Sequence, residues 1–200
     1  MGNVMILNGS PRAPKSNSRR YAELFAAGCK AHTEYFNLTK TNHQALCLKI
    51  GEATDVLLVF PLYADALPVT LLNFLKFLEK NPPENRPVVS VLVNCGFLEV
   101  HQNDVAVQMV QLFCKQNGYP FGSVLKIGSG EAILDTPFRF LAARKIRHFA
   151  RSIAQGTYQS FQVTMPLTKK WFVSAAADYW IRYGKRNGVT KEQMQTMQIE

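Results

Sequence analysis

Asn3-Val-Met-Ile-Leu-Asn8, followed at once by Gly9-Ser10-Pro11-Arg12, is the stretch on which the fold turns. A continuous apolar run of this length reads as a strand buried on both faces, the mark of a parallel sheet covered by helices on each side. Gly9 and Pro11 break the run. Beyond the polar residues 13–18, Tyr21, Leu24, Phe25 and Cys29 recur at helical spacing. The opening unit is therefore strand, loop, helix.

The same alternation repeats down the chain. A weakly alternating strand at 32–38 precedes a short helix at 41–50. Asp55-Val-Leu-Leu-Val-Phe60 is a buried strand ended by Pro61. A helix starts at Pro68, where a missing N–H is harmless, carries Leu71, Leu72, Leu75 and Leu78 on one side, and stops at Asn81-Pro82-Pro83. Residues 87–94 form a fourth strand and 104–116 a helix, closed by Asn117-Gly118 as a left-handed C-cap. A fifth strand at 121–127 leads through Gly128-Ser129-Gly130 to a helix over 137–154, with Phe138, Leu141, Ile146 and Phe149 toward the core. Strands and helices alternating at this pitch predict a three-layer α/β sandwich around a five-stranded parallel sheet. The common strand order for such a chain is 2-1-3-4-5. Residues 1–156 make this domain, and residues 157–200 read as its C-terminal helical extension.

Composition narrows the function classes. Hydrophobic residues are 47% of the 200 and charged residues only 18%, a balance suited to one packed domain and not to a disordered chain. No run approaches the roughly 20 apolar residues of a membrane span, and no basic region precedes the first apolar run, so neither a span nor a secretory signal is expected. The four cysteines, Cys29, Cys47, Cys95 and Cys114, are widely spaced, form no C-x-x-C pair and have no histidines at zinc-ligand spacing. They read as small buried residues in a reducing cytoplasm, and no metal is expected. The net charge is +9, with 13 Lys/Arg and 11 Asp/Glu in residues 1–143 against 10 and 3 in residues 144–200. The basic excess thus belongs to the C-terminal quarter. No helix-turn-helix spacing or RNA-binding aromatic signature accompanies it, so nucleic acid is not an expected partner.

In an open parallel sheet, ligands bind beyond the carboxyl ends of the strands where the strand order reverses, here between strands 1 and 3. Three loops meet that description. In the first, Gly9 allows close backbone approach, Ser10, Ser16, Asn17 and Ser18 supply donors, and Arg12 adds a charged fork. The following helix aims its free N–H groups and dipole at the same point, an arrangement for a terminal phosphate dianion. Neither a Walker A motif nor a G-x-G-x-x-G fingerprint is present. The second loop, Pro61-Leu62-Tyr63-Ala64-Asp65, offers an aromatic on which a flat ligand can lie, or simply an edge residue with its hydroxyl in water. Asp65 reads as a turn residue. The third, Asn94-Cys95-Gly96-Phe97-Leu98-Glu99, carries amide and backbone donors for the polar edge of a ring system. Cys95 and His101 stand close enough in sequence for a nucleophile–base pair, although a buried cysteine and a surface histidine are the simpler reading.

Asn8-Gly9-Ser10-Pro11-Arg12 with Ser16-Asn17-Ser18, then Pro61-Leu62-Tyr63 with Leu67-Pro68, then Asn94-Cys95-Gly96-Phe97 with Glu99, resembles the three flavin loops of the NADPH-dependent FMN reductase and multimeric-flavodoxin family. The resemblance covers about residues 1–155, and Trp180 to Lys191 is similar to the tail of bacterial flavodoxin-family oxidoreductases. It implies a flavodoxin-like fold, non-covalent FMN, NADPH or NADH as reductant, and a homodimer or homotetramer. The flavin would rest on Ser10, Arg12, Ser16, Asn17 and Ser18; on Pro61, Leu62, Tyr63 and Ala64; and on Asn94, Cys95, Gly96, Phe97 and Glu99. Iron–sulfur members carry a compact cysteine cluster before strand 3, where this chain has only Cys47, so no such cluster is expected. The implied activity is an FMN-dependent NAD(P)H oxidoreductase serving a small electron acceptor: a quinone, a flavin, or a nitro- or azo-compound. No catalytic acid or base is assigned. The alternative is a flavodoxin-type electron carrier that binds FMN without a nicotinamide site. The aromatic, basic helix over 167–186 reads either as packed on its own domain or a partner subunit, or as interfacial at a membrane.

Overall fold

The computed structural model describes residues 2–196. The strands are β1 (Asn3–Asn8), β2 (His32–Asn37), β3 (Asp55–Pro61), β4 (Val88–Asn94), β5 (Phe121–Ile127) and β6 (Ser160–Val163). The helices are α1 (Asn17–Gly28), α2 (His43–Glu52), α3 (Val69–Lys80), α4 (Asp104–Asn117), α5 (Arg139–Ala154), α6 (Lys169–Arg186) and α7 (Lys191–Thr196). The sheet runs β2-β1-β3-β4-β5-β6, every neighbouring pair parallel. Its first five strands keep the expected order, and the reversal falls at β1, whose two neighbours are β2 and β3.

The expectation of five strands is corrected to six. β6 lies beside β5, pairing Val124 with Ser160 through Ile127 with Val163. It falls in the stretch read as helical extension. Four residues, Ser-Phe-Gln-Val, are too few to display a convincing period, and an edge strand needs no apolar run because only one side is paired. α7, within the tail read simply as polar, is only six residues long and equally unmarked.

Period-two alternation in each strand feeds two cores. On one face Met5, Leu7, Val56, Leu58 and Phe60 pack against Leu46 and Ile50 of α2, Leu71 and Phe74 of α3, and Val107 and Val110 of α4. On the other, α1 meets α5, with the rings of Phe25 and Phe149 edge-to-face at 5.7 Å. Burying each such side chain is worth roughly 1.5–3 kcal/mol, so the loops at the strand ends hang from a stiff frame. The chain divides into two compact units, one extending to Met165 and the other beginning at Pro166. No helix among the described residues is long and apolar enough to cross a membrane.

Candidate functional site

Asn8, the last residue of β1, organises the first loop. Its side chain is fully buried. Oδ1 accepts from the Ser10 N–H at 3.0 Å, while Nδ2 reaches the Tyr35 hydroxyl at 2.8 Å, Asn37 Oδ1 at 3.2 Å and Ser16 Oγ at 3.4 Å. One amide therefore ties the start of the loop, its end and β2 together. Gly9 lets the loop approach α3 closely: a Cβ there would stand 3.1 Å from Leu71 Cβ.

The loop serines share one arrangement. Ser10 Oγ accepts from the Arg12 N–H at 3.2 Å. Ser16 Oγ is the N-cap of α1 and accepts from the Arg19 N–H at 3.2 Å. Ser18 Oγ accepts from Asn94 Nδ2 at 3.4 Å. A serine oxygen that already accepts from an N–H still has its own O–H to donate. Three hydroxyl protons are thus left for a ligand, beside the leading N–H groups of α1, which have no intrahelical acceptor. Such an array has the donor chemistry of an anion site.

A cleft of about 660 Å³ opens at this point. Its wall takes Ser10, Arg12, Ser16, Asn17 and Ser18 from the first loop, Pro61, Leu62 and Tyr63 from the second, and Asn94, Cys95 and Gly96 from the third. Lys15, Arg19 and Arg20 join Arg12 as cations against two carboxylates, Glu23 and Glu131. Ala64, Phe97 and Glu99 lie off this wall. Ala64 and Asp65, at φ 47° and 57°, form the tip of a tight turn in which Tyr63 and Ala66 exchange backbone bonds of 3.1 and 3.0 Å. Positive φ at both central positions is the hairpin-type turn, and it holds Tyr63 at the open rim, 56% exposed. Phe97 instead uses its carbonyl to accept the Ser129 N–H, and Glu99 precedes a 3₁₀ turn over Val100–Asn103.

Cys95 is not set up as a nucleophile. Its thiol has the Asn103 amide at 3.3 Å and the Phe97 and Glu99 carbonyls at 3.8 and 3.9 Å, and burial pushes its pKa up. His101 is exposed on the 3₁₀ turn. The Cys/His pair is not assembled.

A fourth segment, absent from the sequence-derived site, completes the rim. Tyr21 donates its buried hydroxyl to the Gly130 carbonyl at 2.8 Å, and Asn17 Nδ2 donates to the Glu131 carbonyl at 3.2 Å. Arg20 spans to Asp135 with bonds of 2.6 and 2.9 Å and to Asn17 Oδ1 at 3.0 Å. That fork holds the Asp135 carboxyl below its ordinary pKa. Glu131 itself faces Arg12 across the cleft at 3.7 Å. The available signal was Gly128-Ser129-Gly130 directly after the fifth strand, the same loop position as the three that were singled out.

Neither a protein-family model nor a curated protein matches the chain. Solved structures do match its fold. An NAD(P)H:quinone oxidoreductase from Methanothermobacter marburgensis superposes with a TM-score of 0.62 at 17% identity, over 76% of this chain and 96% of that one. A flavodoxin from Streptococcus pneumonia TIGR4 gives 0.57 at 15%, over 77% and 99%. An FMN-dependent NADH-azoreductase from Bacillus anthracis str. Ames Ancestor, in complex with FMN, gives 0.56 at 14%, over 77% and 100%. The fold is flavodoxin-like α/β, extended by one parallel edge strand.

Proposed function

We propose that the cleft binds FMN without a covalent link, and that the protein is an FMN-dependent NAD(P)H oxidoreductase. Electrons would pass from NADPH or NADH to a small acceptor: a quinone, a free flavin, or a nitro- or azo-compound. The observation that carries this reading is the meeting of three flavin-type loops on one cleft at the N-terminus of α1. The donor set fits the group. Three serine hydroxyls, the first turn of α1 and a surplus of cations suit a terminal phosphate, and the Pro61-Leu62-Tyr63 segment suits a flat ring. The names of the similar structures, two reductases and a flavodoxin, support the same direction.

FMN supplies the ability to take two electrons from a nicotinamide and hand them on. The chain's own contribution is to bind and orient. Ser10, Ser16 and Ser18 would donate to the phosphate, Arg12 and Lys15 would offset its charge, and Asn94, Gly96 and Tyr63 would hold the ring system. No side-chain acid or base is assigned. The reading places the protein in the cytoplasm as a homodimer or homotetramer.

Purified protein is expected to be yellow, or to become so on soaking with FMN. At FMN one hundred times its dissociation constant, mass action adds about 2.7 kcal/mol, a rise in Tm of roughly 5–10 °C. Colourless protein without thermal stabilisation by FMN overturns the proposal. The flavodoxin-like neighbour favours one second reading, an electron carrier. Bound FMN without steady-state NAD(P)H oxidation in the presence of an artificial acceptor would select it.

A further inference from the structure

The unit that begins at Pro166 contains a feature the flavin cleft does not use. α6 is 18 residues long, and only Gly184 in it is buried. At 100° per residue, Phe172, Val173, Ala176, Tyr179, Trp180 and Tyr183 share one face. The last three form an exposed aromatic cluster, with centroid separations of 5.2 Å from Tyr179 to Trp180 and 5.8 Å from Trp180 to Tyr183. α7 folds back at another place, around Gly184, where an added Cβ would lie 2.6 Å from Met194 Sδ. A unit this short cannot bury such a face within itself. The face is left for a surface outside this unit.

Charge decides which surface. Lys169 and Lys170 open the helix, and Arg182, Lys185 and Arg186 close it, with Asp178 the only acid between them. An antiparallel pairing of two copies through this face would set the basic start of one helix against the basic end of the other. Parallel pairing would set like ends together. A layer of anionic headgroups meets both ends with opposite charge, and tyrosine and tryptophan suit the boundary between headgroups and acyl chains. A helix with an aromatic face and with Lys/Arg at its ends and flanks matches the physical description of an interfacial helix.

We propose that α6 docks on an anionic lipid surface, with the Phe172–Trp180–Tyr183 face inserted at the headgroup boundary and Lys170 and Arg186 at its flanks held against the headgroups. The docking is peripheral and does not depend on the cleft holding FMN.

Both tryptophans of the chain, Trp171 and Trp180, lie in α6, so fluorescence reports on this helix alone. Full-length Trp171→Phe protein, with Trp180 as its single reporter, is mixed with vesicles of phosphatidylcholine alone or with phosphatidylglycerol added at about 30%. The expected result is co-flotation with the anionic vesicles only, a blue shift of Trp180 emission, and reversal by high salt. Lys170→Ser with Arg186→Ser should weaken vesicle partitioning by about thirtyfold at low salt, the factor for two cations near an anionic surface. Trp180→Ala with Tyr183→Ala should also weaken it, circular dichroism verifying that both variants stay folded. Three results overturn the proposal: no flotation with anionic vesicles, equal binding to both vesicle types, or tighter binding to a duplex oligonucleotide. A fourth is Trp180 emission already blue-shifted and shielded from acrylamide without vesicles, together with a dimer that Trp180→Ala dissociates. FMN titration of the same samples reports separately on the cleft.

Discussion

Gly130 presses so closely on Asn94 that a Cβ built at Gly130 would stand 2.8 Å from Asn94 Cβ and 3.2 Å from Asn94 Oδ1. Asn94 in turn joins β4 to α1, its Nδ2 lying 3.1 Å from the Phe60 carbonyl and 3.4 Å from Ser18 Oγ. The loop after β5 therefore sets the position of a cleft residue carried by β4. Gly130→Ala must displace Asn94 from its present position. We expect a loss of roughly 1–3 kcal/mol in stability, the usual effect of overpacking, and weaker FMN binding. Denaturation and FMN fluorescence titration measure the two separately, and unchanged FMN affinity would contradict the link.

The serine arrangement makes a sharper test. If the cleft binds FMN as proposed, Ser10→Ala removes a hydroxyl from its phosphate site, so it should weaken FMN binding about fivefold or more while leaving riboflavin binding unchanged. Ser16→Ala additionally removes the N-cap of α1 and should reduce stability by about 0.5–2 kcal/mol. Equal effects of Ser10→Ala on both ligands would place the phosphate elsewhere.

Asn8 predicts a wider failure. Asn8→Ala leaves the Ser10 N–H and the Tyr35–Asn37 pair without their shared partner in a buried site. An unsatisfied buried group costs about 1–3 kcal/mol, so Tm should fall and FMN should dissociate faster. Stopped-flow release of FMN and a thermal melt check this together.

The Arg20–Asp135 fork gives a pH signature. The hydrogen bond from Arg20 depresses the folded-state pKa of Asp135. Its stabilisation is therefore complete above the unfolded value, about 3.9, and is lost as pH falls through the lower folded value. Wild type should exceed Asp135→Asn in stability by a constant margin at neutral pH. The margin should close under acid. Both side chains are substantially exposed, so the plateau is modest. A margin that grows on acidification would contradict the assignment.

Ala64 carries a backbone strain that glycine can release. At φ 47° an L-residue meets a left-handed penalty of about 1–2 kcal/mol, partly offset for glycine by its greater unfolded freedom. Ala64→Gly should leave stability unchanged or slightly raised, and Ala64→Val should lower it. Chemical denaturation of the pair decides the matter.

Much of this was legible along the chain. β1, β3 and β4 announce themselves as apolar runs, and α3 by its leucines and bounding prolines. The three loops are marked by Gly, Pro, Ser and Asn at the strand ends. β6 was not legible, because an edge strand of four residues has no period to read. Ala64, Phe97 and Glu99 were placed with the flavin loops by the family resemblance, and none of them lines the cleft. A two-residue turn carries the first off its wall, and a 3₁₀ turn begins just past the last.

Residues read along the chain were enough for the alternation of strand and helix, the two-sided burial of the sheet and the donor-rich chemistry of residues 9–18. These depend on local period and local chemistry, which neighbours along the chain suffice to express. The tertiary structure alone decided that the loop after β5 completes the cleft, through Tyr21 with Gly130 and Arg20 with Asp135, pairs more than a hundred residues apart. It also decided that Cys95 is a buried wall residue and that each loop serine keeps a proton to donate. Those outcomes depend on which hydrogen-bond partners the packed helices bring within reach, and spacing along a chain does not encode that distance.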